Sequence, residues 1–83
     1  MIIAPIHGDI IDYLKKRKLI KKFEKQIEML KINKKYPSLN FEILEPKELR
    51  MYSFRVDKKY RAIGYFIDVG IFEIIDINNH YGD

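Results

Sequence analysis

Four ionisable side chains in this 83-residue chain have the types and spacing to do chemistry: Glu42, Arg55, Arg61 and His80, with Tyr81 beside the last. Arginine is scarce, four against twelve lysines, and two of the four fall inside stretches that alternate like strands. Arg presents a rigid, permanently charged fork suited to phosphate, where a merely solvating position would ordinarily carry Lys. The alternative is a cross-strand ion pair of Arg55 or Arg61 with Glu42 or Glu73, and the pattern leaves both readings open. Read alone, Glu42 is a solvent-facing strand carboxylate and His80 an exposed near-terminal imidazole. Other chemistries are poorly provided for. With no cysteine there is no disulfide, thiolate zinc site or thiol nucleophile. There is no glycine-rich phosphate loop, no His-Glu-x-x-His and no serine-centred elbow. His7 and His80 sit at opposite ends and would make a metal pair only if the fold united them.

Charge gives a second clue. The net +4 hides a division by position. Between Tyr13 and Tyr36 there are ten Lys/Arg against two Glu, a local +8, while the remaining residues carry six basic and ten acidic groups, −4. So polarised a chain points to a polyanion or an acidic protein as partner. A solvated Lys-rich helix accounts for the same numbers.

The elements that must position these residues follow from periodicity. Met1 to Ile6, interrupted by Pro5, is expected as a short edge strand or extended arm. Gly8-Asp9 starts a helix, with Asp9 as N-cap, Asp12 three residues on, and Ile10, Ile11 and Leu14 as the buried stripe. Arg17-Lys18 marks a turn. A second helix places Leu19, Ile20, Phe23, Ile27 and Leu30 inward and Lys21, Lys22, Lys25 and Lys31 largely outward. It stops near Asn33, because Tyr36-Pro37 forces extended backbone. Beyond Pro37 the period becomes two. Strands are predicted at Asn40–Leu44, Met51–Val56, Tyr60–Ile67 and Ile71–Ile77, with Glu45-Pro46-Lys47-Glu48 a loop, Asp57-Lys58-Lys59 a hairpin and Asp68-Val69-Gly70 a turn. The unbroken apolar run of the last strand predicts burial on both faces.

The expected product is an α+β fold, two N-terminal helices on one face of a small, mainly antiparallel sheet whose other face stays open. Residues 1–83 leave room for one domain, with about 60–65% of the unfolded surface buried. If Phe41, Ile43, Tyr52, Phe54 and Val56 pack under the helices, Glu42 and Arg55 point to the open face. Met1-Ile2-Ile3-Ala4-Pro5 lacks the basic and long apolar segments of a signal peptide, and no apolar run reaches the ~20 residues of a membrane span. A small soluble cytoplasmic protein is expected.

Three stretches together resemble the RelE/ParE toxin superfamily: Tyr36-Pro37-Ser38-Leu39-Asn40-Phe41, then Met51-Tyr52-Ser53-Phe54-Arg55 through Tyr60-Arg61-Ala62-Ile63-Gly64, then Asn78-Asn79-His80-Tyr81. The shared pattern is a Pro-Ser-Leu lead into the sheet, an aromatic-Ser-x-Arg strand, Tyr-Arg-apolar a few residues on, and a last strand ending in His. It covers roughly residues 20 to 81 and is closest to the YoeB/RelE-like mRNA interferases.

The resemblance implies a toxin of a type II toxin–antitoxin pair, with a cognate acidic antitoxin, a hetero-oligomeric complex, and mRNA in the ribosomal A site as target. It implies metal-free endoribonuclease chemistry with no cofactor: Glu42 as general base, Arg61 and Arg55 on the phosphate, His80 as acid, and Tyr81 stacked on a base. Lys47, Lys58 and Lys59 would add RNA contacts. ParE-like members instead poison DNA gyrase without catalysis, and a degenerate member would only bind its antitoxin. These are the alternatives the resemblance carries.

Overall fold

A computed structural model describes residues 1–79. Strand β1 (Ile2–Ile3) is followed by helices α1 (Gly8–Lys16) and α2 (Ile20–Ile32), then β2 (Glu42–Ile43), β3 (Tyr52–Arg55), β4 (Tyr60–Asp68) and β5 (Ile71–Asn79). The five strands form one sheet in the order β1-β5-β4-β3-β2. From β2 to β5 it is an antiparallel meander, and β1 adds to β5 in parallel. The expected α+β architecture, with an edge strand at the N-terminus, is what the chain adopts. Among the described residues no helix is long and apolar enough to cross a membrane.

Helix α1 starts earlier than an Asp9 cap would allow. His7 is the N-cap, and Asp9 lies in the first turn, where its Oδ1 accepts a hydrogen bond from the Ile10 amide at 3.0 Å. Asp9 still opposes the positive end of the helix dipole, as Lys15 and Lys16 oppose the negative end. Of the predicted stripe, Ile10 and Leu14 are buried but Ile11 is only half-buried. The turn between the helices uses no glycine. Lys18 takes φ 59°, its amide donates to the Lys15 carbonyl at 3.0 Å, and the Leu19 amide reaches back to the Leu14 carbonyl at 2.8 Å. This is the paired hydrogen bonding of a Schellman closure, with buried Leu19 as its apolar plug.

The four predicted strands exist, with altered limits. The first shrinks from Asn40–Leu44 to Glu42–Ile43, because Asn40 turns left-handed (φ 45°) after a 3-10 turn at Pro37–Leu39. Met51–Val56 contracts to Tyr52–Arg55, whereas β4 and β5 each run beyond their predicted ends. The predicted loop after Leu44 holds a 3-10 turn, Lys47–Leu49. The β3–β4 hairpin closes on Asp57, whose Oδ1 accepts from the amides of Lys59 and Tyr60 at 2.8 and 2.7 Å.

Strand β5 is not buried on both faces. Phe72, Ile74 and Ile77 face the helices, while Ile75 and Asp76 are exposed. Ile75 falls on the outward face of the alternation, and a bulge then turns Asp76 outward and Ile77 inward: Gly64 pairs with Ile74 and Ile63 with Asp76, leaving Ile75 unmatched. A second shift, between Phe66↔Phe72 and Asp68↔Ile71, leaves Ile67 unmatched on β4.

The core lies between sheet and helices, with Leu14, Leu30, Leu39, Phe54 and Phe72 almost fully enclosed. Phe23 of α2 stacks on Phe54. Next to them Phe41, Tyr52, Phe66 and Phe72 form an aromatic cluster with ring centroids 5.1–6.5 Å apart. Gly64 makes room for it, since a Cβ there would sit 2.7 Å from the Phe72 ring and closer still to the Glu73 carbonyl.

Candidate functional site

Strand pairing arranges the open face before any side chain is considered. Residues opposite one another in a sheet share a face. Glu42 pairs with Ser53, Ser53 with Ile63, and Ile63 with Asp76. Further along the same strands, Arg55 pairs with Arg61 and Arg61 with Asn78. The two rows put Glu42, Ser53, Arg55, Arg61 and Asn78 together on the side away from the helices.

Arg61 is the centre of this group and is only 7% exposed. Its Nε and Nη2 donate to Ser53 Oγ at 3.0 and 2.8 Å, and Nη2 also donates to the Asn40 carbonyl at 2.7 Å. The left-handed turn at Asn40 lies directly ahead of β2, so the Pro-Ser-Leu-Asn stretch ends on an oxygen that accepts from this guanidinium. Burial lowers the Arg61 pKa from its ordinary value, the Glu42 carboxylate opposes that shift, and the neighbouring Arg55 adds to it.

Glu42 approaches Arg61 with Oε1 3.6 Å from Nη2, a loose ion pair whose acidic side chain stays 55% exposed. The pair borders a cavity of about 190 Å³ that also takes in Leu44, Ser53, Ile63 and Asn78. A carboxylate open to solvent beside a fixed guanidinium can take a proton next to a site that holds negative charge.

Arg55 is exposed and directly opposite Arg61. Like charges in that relation disfavour each other unless an anion or solvent intervenes. Arg55 also lines a groove of about 510 Å³ between α2 and the β3–β4 turn, together with Lys22, Lys25, Tyr36 and Lys58. Among the described residues the one acid on that groove, Asp57, stands 4.0 Å from Lys22. Buried Gln26 fixes the groove floor: its Nε2 donates to the carbonyls of Ser38 and Arg55 at 3.1 and 2.8 Å, tying α2 to the stretch of β3 that β2 is too short to cover.

The fold therefore brings Glu42, Arg55 and Arg61 together and sets Lys58 on the adjoining groove. Lys47, on the β2–β3 connection, lines neither the cavity nor the groove, and Lys59 contributes its amide to the hairpin instead. His80 and Tyr81 lie outside the described residues, following Asn79, which borders the cavity. Sequence reasoning missed Asn40, Ser53 and Gln26 as the groups that hold the arginines. Only the aromatic-Ser-x-Arg spacing, which puts a hydroxyl on the same face as Arg55, signalled one of them. His7, weighed as half of a metal pair, bonds Glu73 Oε2 at 2.7 Å. Among the described residues no three His, Asp or Glu side chains converge as a metal site.

No family model matches the chain, and no curated protein does. Among solved structures, a YoeB/ParE toxin from Agrobacterium tumefaciens superposes with a TM-score of 0.68 at 16% identity, over 96% of this chain and 97% of that one. Two helices on a five-stranded, mainly antiparallel sheet are thus shared almost end to end, and the chain has the fold of that toxin.

Proposed function

We propose that the chain is a single-domain toxin of the RelE/ParE superfamily, acting with a cognate antitoxin as a ribosome-dependent mRNA endoribonuclease. The observation that carries this reading is the exposed Glu42 carboxylate 3.6 Å from a guanidinium locked in place on the open face. The toxin-like fold supports it. So does the basic groove leading to Arg55, which suits a phosphodiester chain and whose grip would weaken with salt.

In this reading Glu42 takes the proton from a ribose 2′-hydroxyl. The 2′-oxygen forms a bond to the adjacent phosphorus, the bond to the 5′-oxygen breaks, and that oxygen receives a proton from His80. A 2′,3′-cyclic phosphate and a free 5′-hydroxyl result, with no metal or redox partner in the balance. Arg61 and Arg55 hold the charge that develops on phosphate. Glu42→Gln is expected to slow cleavage by about 10²–10⁴-fold. The check is primer extension on mRNA from cells induced to make the protein, alongside growth arrest. Undiminished cleavage in Glu42→Gln, or in Glu42→Gln with His80→Ala, would sink the mechanism.

A second reading is favoured by one specific fact: Arg61 already commits its Nε and Nη2 to Ser53 and Asn40. A guanidinium so engaged suits a non-enzymatic member that acts on DNA gyrase or only binds its antitoxin. Growth arrest with DNA damage and intact mRNA selects gyrase. Absence of arrest selects the antitoxin-binding member.

A further inference from the structure

The open face of the sheet has two unlike ends. Toward Arg55 and Arg61 it is charged and hydrogen-bonded. Toward the β4–β5 turn it carries large apolar side chains in solvent: Ile2 is 65% exposed, Ile67 48%, Ile75 40% and Tyr65 37%. Register puts these on one face. Tyr65 pairs with Glu73 and Ile2 with Ile71, on the side opposite Phe72 and Ile74, which pack against the core. The two bulge residues, Ile67 and Ile75, lie where the alternation slips and are exposed beside Asp68 and Asp76. Alternation itself places Ile67 and Ile75 outward with Tyr65 and Glu73, and the bulges turn Asp68 and Asp76 outward beside them. Among the described residues both helices pack on the other side. Scattered apolar residues need no explanation, but a contiguous group on a sheet face marks an interaction surface.

The charges on this end decide what fits. Asp68, Glu73 and Asp76 stand among the apolar side chains, and the basic residues of α2 are on the other side of the sheet. Glu73 is engaged by His7, and among the described residues Asp68 and Asp76 accept hydrogen bonds from their neighbouring amides, Val69 and Ile77, and from no side chain. A second copy docking through the same face would set Asp68 and Asp76 against acids of its twin, which disfavours a twofold contact. Three carboxylates here, against Arg50 beside Tyr65, also disfavour a nucleic acid. We infer that this end of the sheet binds an amphipathic helix of a partner protein, one that presents an apolar stripe flanked by Lys and Arg. A helix laid across a sheet buries such a stripe, and its flanking cations meet the acidic rim. The inference rests on the sheet face alone and holds whether or not the chain cleaves RNA. It also makes this contact opposite in charge to the one expected at the Lys-rich helix.

The test uses the full chain and two synthetic helical peptides that share one Leu/Ile stripe, flanked by Lys in one and by Glu in the other. Each is titrated by fluorescence anisotropy into the wild-type protein and into Ile67→Ser/Ile75→Ser. Both substitutions are at exposed positions, and unchanged circular dichroism and melting are required of the variant. The expected result is that the double substitution weakens the Lys-flanked peptide by about tenfold or more, from lost apolar burial, and leaves the Glu-flanked peptide unaffected. Asp68→Asn/Asp76→Asn, which keeps the apolar surface, should remove the advantage of the Lys-flanked peptide. No binding of that peptide overturns the inference, as does binding indifferent to all four substitutions. So does a wild-type dimer in sedimentation that Ile67→Ser/Ile75→Ser dissociates.

Discussion

The two faces of the sheet are held together by different physics. On the helix side, Phe54, Phe72, Leu14 and Leu30 interlock with almost no exposure, and the shape of each side chain is dictated by its neighbours. On the open side, Arg61 is nearly as enclosed, yet what encloses it is a set of directed hydrogen bonds to Ser53 and Asn40. One face tolerates errors of chemistry but not of volume, and the other the reverse. Glu42 touches this network only through a loose 3.6 Å ion pair and keeps an exposed side chain, a contact that contributes little to stability.

Substitutions can break that contrast or sharpen it. The largest loss is expected on the packed face. Phe54→Ala removes a ring stacked on Phe23 and should destabilise the fold by about 3–5 kcal/mol in urea denaturation. A loss under about 1 kcal/mol would mean that the core collapses around the gap. Gly64→Ala tests the opposite fault. The added methyl would press on the Phe72 ring and the Glu73 carbonyl, and about 1–3 kcal/mol should be lost by overpacking. Adding Phe72→Leu should restore part of it, and no recovery would place the strain in the backbone.

On the open face Arg61→Met keeps volume and deletes the fork. Leaving Ser53 Oγ and the Asn40 carbonyl without their donor should lower stability by about 1–3 kcal/mol. Arg61→Lys, with one ammonium for two acceptors lying apart, should recover only part of that loss. Full recovery would show that charge alone matters there. The smallest effect belongs to Glu42→Gln, which should leave stability, read from thermal melting, within the range of about 0.5 kcal/mol typical of surface changes. A larger loss would make Glu42 a structural partner of Arg61 and weaken its candidacy as a base.

Much of this arrangement was legible beforehand, for reasons that can be named. The second helix announces itself by Phe23, Ile27 and Leu30 at helical spacing, and Pro37 marks the change of period. In β3, alternation alone separated Phe54 from Arg55. What escaped was set by contacts distant in sequence or by backbone in rare conformations. Asn40 and Lys18 adopt left-handed φ without a glycine to mark them. Asp9 looked like a cap because capping is a local rule, yet the chain leaving β1 sets His7 there instead. The burial of Ser53, at 1% exposure, depends on a guanidinium eight residues away across the hairpin. The apolar run of β5 looked two-sided, since no periodicity separates a strand buried on both faces from one that bulges and shows isoleucine to solvent.

That bulge at Ile75 has a consequence for how the last strand can change. Before it, even-numbered residues of β5 face the helices, and after it, odd-numbered ones do. The strand is in effect written in two frames, spliced at one residue. Deleting Ile75 would leave Ile74 inward, Asp76 outward and Ile77 inward, each opposite the partner it has now, in an unbroken pleat. Deleting Ile74 instead would let Ile75 turn inward and take the vacated place beside Gly64. Most strands cannot lose a residue without turning everything beyond it inside out. This one carries a spare, and shortening it by one should remove a surface isoleucine while leaving the architecture intact.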